Sequence, residues 1–133
     1  MTHPSDAEAA DLQMRATRLL LDRGGSDLPA RPWLHKDQPP SATDLIQHVL
    51  WRSRRTDAAP EPDALDLRAA LALVSAARGE MDAVESALLF LARAEGLTWQ
   101  HIADSLGLRS AQAAQQRLDR LADRPHTTAR SAR

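Results

Sequence analysis

The chain has 133 residues, enough for a small domain and some flexible sequence, and its 43% hydrophobic content allows a core. With one Phe, no Tyr and three Trp, that core must be built from Leu and Ala, a composition that favours helices over sheets. The absence of Cys excludes disulfides, thiolate metal sites and thiol nucleophiles, and a net charge of −1 gives the whole chain no cationic character.

No run of about 18 apolar residues occurs and the N-terminus lacks a signal-peptide core, so a cytoplasmic protein without membrane association is expected. Ser5 is placed to cap a helix running to about Asp22, with Leu12, Ala16, Leu19 and Leu20 on one side and Gly24 and Gly25 as its stop. This N-terminal helix accounts for residues 1–24. The segment 25–40 carries prolines at 29, 32, 39 and 40 and reads as an irregular surface connector pinned by Trp33 and Leu34. Ser41 caps the next helix, Asp44 lies near its start, and Leu45, Ile46, Val49 and Leu50 form its apolar stripe. That helix ends in Trp51, Arg52, Arg54 and Arg55. The arginines there suit the negative end of a helix dipole, or alternatively a phosphate clamp.

Between Thr56 and Pro62 the breaker DAAPEP intervenes. Asp63 then caps a helix whose Leu67, Leu71, Val74, Met81, Leu88 and Ala92 follow a three-four repeat. Gly79 interrupts the sequence but not the phase, and a mid-helix glycine costs only about 1 kcal/mol. One helix over about 64–94, bent near Gly79, is therefore favoured over two helices meeting there. A helix of some 30 residues spans roughly 45 Å, so part of its stripe should meet the N-terminal helices or a second copy, and a homodimer is expected.

The segment 97–121, LTWQHIADSLGLRSAQAAQQRLDRL, has the spacing and turn chemistry of a helix-turn-helix. Thr98 caps the first helix, whose Trp99, Ile102, Ala103 and Leu106 fall at i, i+3, i+4 and i+7. Gly107 permits the left-handed backbone that ends it, and Ser110 caps a second helix with Ala114, Leu118 and Leu121 facing inward. Ala103 is the small residue required where the two helices approach. Gln112, Gln116, Asp119 and Arg120 turn outward, with Gln115 on the flank; a glutamine amide offers the donor and acceptor that match adenine in the major groove. The plain alternative for this pattern is an ordinary helical hairpin.

From about Asp63 to Leu121 the chain resembles a group of short actinobacterial helix-turn-helix regulators, some labelled as regulators of a small heat-shock protein gene. The resemblance is carried by Gly96, Thr98, Trp99, Ile102, Ala103, Leu106, Gly107, Ser110, Gln112, Ala113, Ala114, Arg117, Arg120 and Leu121. It covers less than half the chain and implies a DNA-binding domain without indicating its target sequence. Two positions depart from the pattern: Ala111 stands where an arginine is expected, and Gln116 replaces a further arginine. The turn is one residue longer than in the commonest repressors, a feature that the resembling group shares.

Charge is unevenly distributed. Residues 107–133 carry a balance of +4 and residues 1–106 a balance of −5, so cationic character gathers where the second helix ends. The stretch 122–133 reads as a basic flexible tail, and 41–121 as a helical domain containing the helix-turn-helix. The fold expected is all-α: N-terminal helices and a long central helix forming a scaffold, then the C-terminal helix-turn-helix. The function expected is a sequence-specific DNA-binding transcriptional regulator, not an enzyme, located in the cytoplasm at the nucleoid. Gln112, Gln115 and Gln116 are the candidates for base contacts. Thr98, Gln100, His101, Arg109, Ser110, Arg117 and Arg120 are the candidates for the phosphate backbone of double-stranded DNA. The histidines at 3, 35, 48, 101 and 126 never fall four apart, and no phosphate loop or nucleophile elbow occurs, so no metal, cofactor or catalysis is expected. The alternatives are a helical adaptor for a protein partner such as a sigma factor, and a nucleoid architectural protein. A small enzyme stands a distant third.

Overall fold

The computed structural model describes residues 5–55 and 60–123, and among these every regular element is a helix. They are α1 (Asp6–Asp22), a short 3-10 turn (Gly25–Asp27), α2 (Ala42–Ser53), α3 (Ala64–Ala72), α4 (Val74–Ala94), α5 (Trp99–Leu106) and α6 (Ala111–Asp123). Contacts divide the chain into two compact units, Met1–Glu80 and Met81–Arg133, with the boundary inside α4. The segment 41–121, read from the sequence as one helical domain, contributes to both. None of the described helices is long and apolar enough to cross a membrane.

In the first unit α1, α2 and α3 each begin where the local sequence supplies a cap. The Ser5 hydroxyl accepts the Glu8 N–H at 3.2 Å while the Ser5 N–H donates to Glu8 Oε2 at 2.7 Å, a reciprocal capping box. Asp63 and Asp66 form the same box at α3, and Ser41 Oγ accepts the Asp44 N–H at α2. Helix α1 stops at Gly24, whose φ of 112° only glycine adopts without strain. Gly25 is required for space, because a Cβ there would lie 2.6 Å from Leu45 Cδ2 and 2.7 Å from the Leu20 carbonyl oxygen. Ala16, Leu20, Leu45, Val49, Ala69, Ala70 and Leu73 make the core.

Three expectations are corrected here. The helix expected over 64–94 is interrupted at Leu73, while α4 runs straight through Gly79. Leu73 is a fully buried core side chain whose N–H donates to both Ala69 and Ala70 oxygens, so the chain tightens there to seat it. Around Gly79 nothing lies within 4 Å of where a Cβ would be, and no packing demands a bend. Secondly, Arg52 does not belong to a surface basic cluster. It is buried, its Nη2 stands 3.6 Å from Asp66 Oδ2, and its Nε and Nη2 donate to the Pro60 carbonyl. Arg23 Nη1 joins the group at 2.7 Å from Asp63 Oδ1 and 3.2 Å from Asp66 Oδ1. A buried carboxylate between two guanidiniums is costly to break, since removing one partner leaves the other charge uncompensated. Thirdly, Trp33 does not pin the connector: it is 76% exposed, and the connector is held by the bidentate pair of Arg31 with Asp44, both bonds 3.1 Å.

Much of the three-four repeat stays uncovered. Leu67 and Leu71 on α3 and Met81, Val84, Leu88 and Leu91 on α4 are exposed, whereas the buried positions are Asp66, Ala69 and Ala70 on α3 and Leu89 on α4. One acid of α4 has a defined task. The Glu80 carboxylate accepts the Ala42 N–H at 2.8 Å, the Thr43 N–H at 3.0 Å and the Thr43 hydroxyl at 2.8 Å, so it satisfies the otherwise orphan donors at the start of α2.

Candidate nucleic-acid interface

The second unit is built on Leu89 from α4, Ile102 and Ala103 from α5, and Ala114 and Leu121 from α6, with Trp99, Leu106, Leu108 and Leu118 packed around them. Helix α4 ends at Ala94, and Gly96 just beyond it, at a φ of 91°, lets the Leu97 N–H reach the Ala92 oxygen at 3.0 Å. Arg93 braces this corner by donating to the Leu97 carbonyl at 2.9 Å and lying 4.8 Å from the Trp99 ring centre. The sequence reading passed over this brace, and nothing in the spacing of Arg93 and Trp99 would have signalled it.

Thr98 caps α5 as expected. Its hydroxyl accepts the His101 N–H at 3.1 Å, and His101 Nδ1 in turn accepts the Thr98 N–H at 3.3 Å. At the far end Gly107, at φ 71°, and Leu108 return N–H bonds to Asp104 and Ala103. After three more residues the Ser110 hydroxyl accepts the Ala113 N–H at 3.1 Å and opens α6. Ala103 and Ala114 have 0% exposure, which only residues this small achieve where two helix backbones come together.

Burying Ala114 and Leu121 decides where the rest of α6 points. At 100° per residue, Gln112 and Gln116 lie about 160° around the helix from Ala114 and Gln115 about 100°. All three glutamines are exposed, as are Arg109, Ser110, Asp119 and Arg120. On α5, Thr98, Gln100 and His101 are exposed at its start. Gln100 Nε2 donates to Asp104 Oδ1 at 2.9 Å, and the His101 cap occupies Nδ1, which leaves Nε2 as the ring atom able to meet a phosphate. Arg117 is different: its Nε stands 2.6 Å from Glu85 Oε1 of α4, and it lines a small cleft of about 220 Å³ with Asp82, Glu85, Arg120 and Leu121. The helical wheel carried that signal, because Arg117 comes three residues after Ala114 and so sits about 60° from the packed row.

The chain matches no family model, no curated protein and no solved structure. Its chemistry must be read from the residues themselves.

The electrostatics of the helix ends favour an anion at α5 and α6. Helices α1, α2 and α3 carry acids in their first turns (Asp6 and Glu8, Asp44, Asp66), whereas the first turns of α5 and α6 carry none. The positive dipole ends of the latter pair are therefore not neutralised by their own side chains. Between Met81 and Asp123 the chain has six acids and four arginines. Most of the cationic excess assigned to 107–133 comes from Arg124, Arg130 and Arg133, which lie outside the described residues, as does most of the tail expected at 122–133; its first two positions, Ala122 and Asp123, are the end of α6. Among the described residues no cluster of three or more His, Asp or Glu could hold a metal ion.

Proposed function

We propose that this chain is a sequence-specific DNA-binding transcriptional regulator, in which α5 and α6 act as a helix-turn-helix and α6 enters the major groove. The observation that carries the reading is the position of Gln112, Gln115 and Gln116: all exposed, the first and last on the face of α6 opposite its buried alanine and Gln115 on its flank, on a helix whose N-terminus is capped by Ser110 and whose first turn has no acid. Each amide supplies the paired donor and acceptor that adenine presents in that groove. Arg109, Ser110 and Arg120, with Thr98, Gln100 and His101 of α5, serve the phosphates, and Arg117 is reassigned to holding α6 against α4. The resemblance to short actinobacterial regulators supports the same assignment. The protein acts at the nucleoid as a homodimer, a state favoured by the uncovered row Met81, Val84, Leu88 and Leu91 on α4.

Fluorescence anisotropy on random duplex at two salt concentrations, followed by selection of bound sequences, tests this. A DNA binder shows salt-dependent retention and enriches one motif; absence of binding at low salt overturns the proposal. A mass of one chain by sedimentation at micromolar concentration overturns the dimer alone. The same exposed row on α4 favours a second reading, a helical adaptor whose partner is a protein, and that reading predicts no DNA retention at either salt concentration. Many weak sites in place of a few strong ones would indicate an architectural role instead.

A further inference from the structure

The first unit contains a cavity of about 310 Å³ between the proline-rich connector and one side of α2, lined by Leu28, Pro29 and Pro32 from the former and Gln47, His48 and Trp51 from the latter. It is apolar in most of its wall, and a volume of that size corresponds to roughly ten water molecules, room for a molecule of one or two rings.

The charges at its rim cancel. Arg31 and Asp44 both border the cavity, and their two mutual hydrogen bonds at 3.1 Å leave neither as an uncompensated charge. His48 is set with unusual care. Its Cε1 would stand 3.1 Å from a Cβ at position 24, so Gly24 provides the space it occupies, and its ring stacks on Trp51 with centroids 5.9 Å apart. Burial and the nearby Arg52 charge hold the imidazole below its usual range, against the opposite pull of Asp66, so it favours the neutral form, with one donor and one acceptor nitrogen. No hydrogen bond to either ring nitrogen occurs among the described residues, and Gln47 beside it is exposed with its amide likewise unengaged there.

We infer that this cavity is a binding site for an uncharged planar aromatic or heteroaromatic molecule. The ring lies against Trp51 and the proline walls, and its polar edge exchanges hydrogen bonds with His48 and Gln47. Among the lining residues the two ionic groups, Arg31 and Asp44, are spent on each other, and the nearby Arg55 guanidinium is seated 4.2 Å from the Trp51 ring centre, so a fixed charge on the ligand would find no open partner in the wall. The site belongs to the first unit and does not depend on whether α6 binds DNA.

Benzimidazole, neutral at pH 7.5 with a donor and an acceptor on one edge, is a suitable probe at millimolar concentration, followed by saturation-transfer NMR on the full chain. Wild-type protein should transfer saturation to it, and Trp51→Ala should raise the Kd by about tenfold, the loss of one aromatic contact. Gln47→Trp, at an exposed helical position that tolerates a large side chain, should close the cavity and abolish the signal with the melting temperature unchanged. No saturation transfer to wild type, or equal transfer in both variants, overturns the site. Equal binding of benzoate overturns the assignment to an uncharged ligand.

Discussion

Arg117 on α6 holds Glu85 on α4 at 2.6 Å, with the carboxylate the more buried of the two partners. This contact joins the helix carrying the candidate reading surface to the helix beneath it, and it withdraws one arginine from the phosphates that the sequence pattern assigned to it. Replacing Glu85 by alanine therefore has opposite effects on stability and on DNA. The exposed half of the pair limits the stability loss to about 1 kcal/mol or less, while the released guanidinium should steepen the salt dependence of DNA binding by about one unit of log–log slope. Thermal melts and anisotropy titrations in several salt concentrations measure both; an unchanged slope would show that Arg117 does not reach DNA even when freed.

Gln112 lies opposite the buried alanine of α6 near its capped N-terminus, the part of a recognition helix that enters deepest. Gln112→Ala should weaken binding to the selected sequence by about 1–3 kcal/mol and leave random duplex unaffected. Competition anisotropy with both duplexes separates base reading from general adhesion, and equal loss on the two would refute a base contact.

Ala103 has no exposed surface, and α6 packs directly over it with Ala114. Ala103→Leu forces three extra carbons into that contact and should cost about 1–3 kcal/mol, whereas Ala103→Gly should keep the packing and lose only helix propensity. Urea denaturation followed by circular dichroism distinguishes them. DNA binding should fail in the leucine variant well before the glycine variant.

Acidification should weaken the first unit in two steps. Burial, reinforced by Arg52, lowers the pKa of His48 from its usual 6.5. The unfolded chain therefore binds more protons than the folded one below that value, so this contribution is complete above about 6.5 and is lost as pH falls. Asp63, held below its usual 3.8 chiefly by the Asp66 N–H and then by Arg23, adds a second loss of the same sign in stronger acid. Melting temperatures from pH 8 to pH 3 record both, and His48→Asn should remove the upper step while keeping the lower one.

The sequence alone determined where the five capped helices begin, because a capping serine, threonine or aspartate acts on an N–H three residues away and needs no distant partner. Ser5, Ser41, Asp63, Thr98 and Ser110 all cap as their spacing predicts. The outward direction of Gln112 and Gln116 was legible for the same reason: burying Ala114 and Leu121 leaves their side of a rigid helix in water. Other features were decided only in three dimensions. The interruption at Leu73, the burial of Asp66 with Arg52, the commitment of Arg117 to Glu85 and the cavity beside His48 each join residues from different helices or from a loop and a helix. Hydrophobic periodicity treats every charged side chain as solvent-facing, whereas tertiary packing can bring an opposite charge within reach and make a buried arginine or aspartate affordable.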